Sequence, residues 1–261
     1  MAKKYRVAAQ MFGFRDFIKE PAAMESTLKR VKKIGYDYVQ ISAFGPIEAA
    51  ELKKICDGAG VEPIGAHVGI PIFRENEKKV IEDCHAYGVK YVAIPWVKAD
   101  DYKTLTDWKK LFREMEGYAK RFAKEGLVVQ YHNHAFELEK IGIKKGRGGK
   151  TILDLLFENT EILQAELDFG WIARAGYNPA LWAKKLKGRL DQVHLKDLGI
   201  VADKPVFRAI GEGSIDWQDV IKACKAAGTR DFIIEQDACP LTDDPFLSYS
   251  ISRKNLIEMG L

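Results

Sequence analysis

Tyr5-Arg6-Val7-Ala8-Ala9-Gln10-Met11-Phe12-Gly13-Phe14-Arg15 decides the fold. Its first half, Tyr5–Met11, is a short apolar and aromatic run of strand type. A doubly wound sheet favours a glycine-rich dinucleotide turn after such a strand, and Met11-Phe12-Gly13-Phe14-Arg15 is not one. Seven similar runs follow: Tyr38–Ser42, Pro63–Val68, Tyr91–Trp96, Leu127–His132, Gln164–Asp168, Leu190–Leu195 and Asp231–Glu235. Amphipathic stretches lie between them. Ala22–Ile34 puts Met24, Leu28, Val31 and Ile34 on one stripe, Trp108–Phe122 repeats the pattern, and Asp216–Ala227 turns Val220, Ile221 and Cys224 to one side. Gly35, Gly60 and Gly228 stand where a left-handed helix cap is needed. Strands that each lead into a helix, spaced ~25–40 residues apart, predict an α/β fold of the (β/α)8 TIM-barrel type.

The 261 residues suit one such barrel, and no linker rich in Pro, Gly or Ser divides them. A single domain over 1–261 is expected, with a short tail after about Ser248. Forty-one basic against 37 acidic side chains give a net +4, too weak a charge for a nucleic-acid partner. No run approaches the ~18 apolar residues of a membrane span. The basic start Met1–Arg6 leads into a strand without a signal-type apolar run. Four cysteines without Cys-x-x-Cys spacing read as thiols in a reducing compartment. A cytoplasmic protein is expected.

In a barrel of this kind functional side chains emerge from the C-terminal strand ends. Four of the five histidines, His67, His132, His134 and His194, fall at such ends, and His85 alone lies in a helical stretch. Asp168, His194 and Glu235 follow apolar residues on three consecutive strands, so they converge on one mouth. An Asp, a His and a Glu together suit a divalent metal, Mn²⁺ first, with Co²⁺, Zn²⁺ or Mg²⁺ also compatible. Without one, two close carboxylates would repel until one bound a proton. The fifth strand should add a fourth ligand. His132 and His134 share a side there by period-two alternation, with Gln130 a weaker candidate one step deeper. His132 is assigned to the metal, and His134 is left for acid–base work or substrate binding. Lys196 and His67 could bond hydroxyl or oxyanion oxygens, Gln40 and Glu137 are further candidates for substrate binding, and Trp96 and Trp171 offer flat apolar faces to a substrate.

Several motifs carry a resemblance. Asp168-Phe169-Gly170-Trp171, Ala175-Gly176-Tyr177-Asn178-Pro179, Val193-His194-Leu195-Lys196-Asp197, Gly211-Glu212-Gly213-Ser214-Ile215-Asp216-Trp217 and Ile234-Glu235-Gln236-Asp237 resemble those of the sugar phosphate isomerase/epimerase family. These are xylose isomerase-like TIM barrels that include inosose dehydratase, tagatose 3-epimerase and hydroxypyruvate isomerase. Tyr36–Ser42 and Tyr131–Glu137 are similar to the same family's second and fifth strand segments. The resemblance implies a carbohydrate substrate, leaves room for a homo-oligomer, and implies a metal site of Glu, Asp, His and Glu from strands five to eight. Asp168, His194 and Glu235 match the last three, whereas Gln130 stands where the epimerases carry the first Glu. Epimerases use two metal-bound glutamates as opposed acid and base. With one of them replaced, Glu235, His134 and Lys196 remain as catalytic candidates.

The implied chemistry is a metal-dependent sugar isomerase or epimerase working by proton abstraction next to a carbonyl. A lyase or dehydratase acting on a 3-keto-glycoside or inosose-like substrate is the alternative, since a histidine base suits enolisation followed by elimination. Apurinic endonucleases share the barrel, but their extra ligands and DNA-facing basic surface have no counterpart here. A non-catalytic sugar-binding barrel has only the Gln130 departure in its favour. Gly146-Arg147-Gly148-Gly149-Lys150-Thr151 resembles a phosphate loop, yet position 144 is Lys where that loop needs Gly. Lys140, Lys144, Lys145, Arg147 and Lys150 form an acid-free basic segment, either solvated or a cover that attracts an anionic sugar.

Overall fold

The computed structural model describes residues 5–141, 148–239 and 242–261. Eight parallel strands close into a barrel: β1 (Arg6–Gln10), β2 (Tyr38–Ile41), β3 (Glu62–His67), β4 (Tyr91–Ile94), β5 (Val128–His132), β6 (Gln164–Asp168), β7 (Gln192–Leu195) and β8 (Asp231–Ile234). β1 pairs with both β2 and β8, so the sheet closes on itself. Helices cover its outside: α1 (Pro21–Ile34), α2 (Ala49–Ala59), α3 (Ile70–Tyr87), α4 (Leu105–Lys124), α5 (Ile152–Glu158), α6 (Phe169–Arg174), α7 (Pro179–Lys185), α8 (Trp217–Ala227) and α9 (Pro245–Glu258). The expected strands are all present, each within a few residues of its expected bounds. Gly35, Gly60 and Gly228 take the left-handed caps at φ 112°, 73° and 105°. None of the described helices is long and apolar enough to cross a membrane.

Strand alternation sorts the side chains into two cores. Val7 and Ala9 of β1, Val193 and Leu195 of β7, and Phe232 and Ile234 of β8 join the large apolar layer under the helices. Ala8, Ile64 and Ile233 form a separate small plug inside the barrel. Above that plug the interior turns polar, with Gln10, Gln40, Gln130, His132, Glu166, Asp168, His194 and Lys196 all buried.

The expected tail after Ser248 is instead part of α9, with Tyr249, Ser252 and Leu256 fully buried. The Tyr249 hydroxyl donates to the Gln10 carbonyl at 2.9 Å, and Tyr36 donates to the Tyr249 carbonyl at 2.8 Å. Serines on the packed face hide the helix from a hydrophobic pattern: Ser252 returns its hydroxyl to Ser248 and accepts the Ile210 amide. A second unforeseen element is the hairpin Asp197–Val201 with Lys204–Arg208, turning through left-handed Ala202 and Asp203. Of the basic segment after β5, Lys144, Lys145 and Arg147 lie outside the described residues. Lys150 pairs with Glu158 at 2.6 Å, and Thr151 and Asp154 cap α5 with each other's backbone, so this end serves the fold.

Asp197 ties the hairpin to the barrel. Its buried carboxylate accepts from the amides of Leu198, Gly211 and Gly213 and from the Trp217 indole. A Cβ at Gly213 would lie 2.2 Å from Asp197 Oδ1 and 2.4 Å from the Leu198 carbonyl. Gly213→Ala should therefore destabilise the chain by about 1–3 kcal/mol. Gly58→Ala, in α2 with nothing within 4 Å of the added atom, should stabilise it by up to about 1 kcal/mol. Urea unfolding of the two variants tests both signs.

Candidate active site and metal centre

The strand register brings the expected ligands level. Asp168 lies beside His194, His132 beside Glu166, and the Glu235 amide bonds the Leu195 carbonyl at 3.0 Å. Two polar groups are stacked along the barrel axis as a result. His132, Asp168, His194 and Glu235 form the upper one, and His67, His132, Glu166 and His194 the lower. Within each, one ligand atom per residue lies within 4.8 Å of the others, close enough to hold a metal ion. A cavity of about 420 Å³ opens above them, lined by His67, His132, His134, Glu235, Asp237, Trp96 and Phe12 among others.

Local structure explains the poses. Asp168 caps α6, its Oδ1 accepting the Trp171 amide at 2.9 Å, while its buried Oδ2 faces the Lys196 ammonium. Asn133 joins the ends of β5 and β6, accepting the Asp168 amide at 3.0 Å. Lys196 is fully buried. Its ammonium lies 2.7 Å from Asp237, 3.1 Å from Asp168 and 3.3 Å from Glu235. Gly170 lets the chain pass close beneath it: a Cβ there would lie 2.5 Å from the Lys196 carbonyl oxygen, 2.8 Å from its Cβ and 2.9 Å from its Cγ.

Negative charge is in excess at this end of the barrel. Asp168, Glu235 and Asp237 share the Lys196 ammonium, and Glu166 and Glu235 share the His194 imidazole. Burial alone would strip His194 of a proton, but Glu166 and Glu235 overcome it and raise the imidazole to about 10. Burial pushes Asp168 up to about 6 against the pull of Lys196. Lys196 is driven far above its ordinary value, because Asp168, Glu235 and Asp237 outweigh its burial. His134 goes the other way, lowered to about 4 by burial and by the Lys196 charge, and stands as a neutral imidazole with its buried Nδ1 unbonded. Surplus buried carboxylate and a four-residue N/O donor set together fit a divalent cation in the upper group.

Other expected residues divide. Trp96 is 51% exposed at the cavity rim. Trp171 packs 5.2 Å from His134 and 5.0 Å from the Lys196 ammonium, its indole N–H unbonded. Three residues expected at the substrate are committed elsewhere. Both ring nitrogens of His67 are engaged, by Gln10 at 3.0 Å and Glu166 at 2.6 Å. Gln40 is buried between His194 and Glu166. Glu137 is buried too, accepting from the Tyr131 hydroxyl at 2.7 Å and the His134 amide at 2.8 Å, and burial raises it to about 7. It steadies the His134 loop. Gln130 lies buried one step below His132, with its amide donating to the Ala165 carbonyl at 3.5 Å.

Glu166, Asp237 and Gln10 were not anticipated as site residues. The signal for Glu166 was the alternation that revealed Asp168: two residues earlier on one strand is the same side, one layer deeper.

The chain matches the family described as xylose isomerase-like TIM barrel over residues 28–240. It is 28% identical over 174 residues to an inosose dehydratase of Geobacillus thermodenitrificans, 59% of this chain and 55% of that protein. The chain thus spans little over half the length of the curated relatives it matches. It is similar in fold to a sugar phosphate isomerase/epimerase from Parabacteroides distasonis, with TM-score 0.82 and 21% identity over 98% of this chain and 94% of that one. An L-ribulose 3-epimerase gives TM-score 0.74 and 14% identity over 98% and 94% of the two chains. The family match covers most of the chain and agrees with the closed parallel barrel; the chain belongs to the xylose isomerase-like TIM barrel family.

Proposed function

We propose that this protein is a divalent-metal-dependent enzyme that removes a proton next to the carbonyl of a keto sugar or sugar derivative. The observation that carries the reading is the meeting of His132, Asp168, His194 and Glu235 beside a neutral His134 at the floor of one cavity. His132, Asp168, His194 and Glu235 would hold the metal, taken as Mn²⁺ because two imidazoles and two carboxylates form a borderline donor set. The chemistry such an ion supplies is polarisation of a carbonyl, which acidifies the neighbouring C–H.

The residues of the chain account for the rest. His134, neutral over the physiological range, accepts the proton from carbon. The resulting imidazolium is a strong acid in this setting and can return that proton. The Lys196 ammonium, anchored by Asp237, offsets negative charge developing on a substrate oxygen without giving up its own proton. Trp96 offers the ring an apolar face.

Elimination fits this arrangement better than epimerisation. Inversion at carbon needs a proton acceptor and a donor on opposite faces, and strand five offers the buried amide of Gln130 where a second carboxylate would be needed. In an elimination His134 serves twice. It takes the C–H proton, the C–O bond to the leaving group breaks as the double bond forms, and the same proton leaves on the departing oxygen as water or an alcohol. The similarity to inosose dehydratase supports this order. Isomerisation is the second reading, favoured by the same single base: His134 would return its proton to the neighbouring carbon.

Three measurements test the proposal. Wild-type protein should retain about one Mn²⁺ per chain through gel filtration, and Asp168→Asn or Glu235→Gln should lose it while circular dichroism stays unchanged. Retention by both variants would remove the upper group from consideration. Second, His194 must release a proton from the nitrogen that turns to the metal. Because the metal-free imidazole sits at about 10, apparent affinity should climb about tenfold per pH unit below that value and level off above it. An affinity independent of pH between 6 and about 9 would contradict His194 as a ligand. Third, a keto-cyclitol, a ketohexose and a 3-keto-glycoside should be followed by NMR in D₂O with Mn²⁺. Elimination yields an unsaturated product lacking water or alcohol, whereas isomerisation yields a product of unchanged formula with deuterium on carbon. His134→Gln should lower kcat by about 10²–10⁴-fold with Mn²⁺ affinity unchanged. No turnover of any of the three by the Mn²⁺-loaded wild type would sink the enzyme reading.

A further inference from the structure

We infer that Glu166, acting through Gln40, is a positioning residue that fixes which nitrogen of His194 carries a proton and which is turned toward the metal group. The inference rests on the upper group being the metal site, and it follows from which atoms can donate and which can only accept.

Glu166 Oε1 receives Gln40 Nε2 at 2.5 Å, and Oε2 receives His67 Nε2 at 2.6 Å. An ionised carboxylate only accepts, so Gln40 must point its NH₂ at Glu166. Its carbonyl Oε1 is then the atom 2.7 Å from His194 Nε2, and Glu166 Oε2, a second acceptor, lies 3.3 Å from the same nitrogen. A carbonyl also only accepts, so His194 Nε2 must bear the proton. The other ring nitrogen, Nδ1, lies 2.7 Å from Glu235, inside the upper group. Once a metal has displaced any proton there, Nδ1 presents its lone pair.

His67 is set by the same logic from the opposite side. Gln10 Oε1 accepts the Phe12 amide at 2.6 Å, so its NH₂ faces His67 Nδ1 at 3.0 Å, and the His67 proton must lie on Nε2 toward Glu166. Glu166 is thus the common acceptor of two chains of donors, its Oε1 taken by Gln40 and its Oε2 by His67.

The lower group is therefore better read as support for the upper than as a second metal site. Simultaneous occupancy would need His132 and His194 to bridge two ions through both ring nitrogens, each giving up its last N–H proton. The Nε2–H···Gln40 bond is the kind of outer contact that orients a ligating imidazole.

Glu166→Gln removes the lock. A neutral amide can donate as well as accept, so Gln40 is free to turn over, offer its NH₂ to His194 Nε2 and leave the proton on Nδ1, where it blocks the metal. Gln40→Leu breaks the chain at its other link. Mn²⁺ affinity, read by competition with a chelating dye, should fall about 10–100-fold in either variant. The double variant should fall by less than the two single losses combined, because both act on the proton of one nitrogen, His194 Nε2. Unchanged affinity in the singles, or additive losses in the double, would overturn the inference.

A metal-free readout separates this from the assignment of the metal site. ¹⁵N-histidine spectra of the metal-free wild type should show a slowly exchanging His194 Nε2–H, lost or strongly shifted in Glu166→Gln and Gln40→Leu. If it persists unaltered in both, the positioning role is wrong whatever the metal data show. If the signal behaves as expected but wild type takes up no Mn²⁺, the metal assignment fails and the positioning of His194 stands.

Discussion

Closing eight parallel strands into a barrel forces alternate side chains of every strand into one narrow shaft, and at the upper end of this shaft those side chains are charged. Most of what the molecule can do follows from that confinement. Below, Ala8, Ile64 and Ile233 fill the space in the ordinary way. Above, Glu166, Asp168, Glu235, His67, His132, His194 and Lys196 crowd together almost wholly out of solvent contact, with the half-buried Asp237 at their edge, and each sets the protonation of its neighbours. A buried charge without a partner is costly. Here the partners are layered, with Glu166 served by Gln40 and His67, His194 held between Glu166 and Glu235, and Lys196 held among Asp168, Glu235 and Asp237.

The same confinement separates residues that act from residues that hold. His134 and Trp96 reach the cavity with polar or aromatic surface to offer, Lys196 and the upper ligands lie at or beneath its floor, and Gln10, Gln40, Glu137 and, although it lines the cavity, His67 have their polar atoms taken by other side chains and the backbone. A polar side chain at a strand end is therefore not by itself a substrate contact. The decisive question is whether its donors and acceptors are already taken.

Much of this was legible in the sequence because apolar alternation and strand ends are local signals. The eight strands stand out through outward-facing residues such as Val193 and Leu195, and Asp168, His194 and Glu235 through their place just beyond them. What escaped notice depends on three dimensions. Glu166 reads as an ordinary polar residue until the barrel closes around it. The hairpin from Asp197 to Arg208 has no Asn-Gly or Asp-Gly signature and turns instead through Ala202 and Asp203, which seldom adopt left-handed backbone. Helix α9 packs through buried serines as well as Phe246, Tyr249 and Leu256, so its inner face does not look apolar. Gln40 and Glu137 carry side chains that suit a sugar, and only their hydrogen bonds assign them elsewhere.

The close approach of Gly170 to Lys196 ties two positions that lie on different elements and far apart in the chain. A side chain at 170 would meet the Lys196 carbonyl oxygen first, at 2.5 Å, and only then the lysine Cβ and Cγ, so much of the conflict is with backbone and would remain whatever side chain residue 196 carried. The short helix that Asp168 caps can therefore lie this close to the strand end bearing the ammonium only while its second residue has no side chain. A residue with no chemistry of its own thus sets how near α6 sits to the charged end of the shaft.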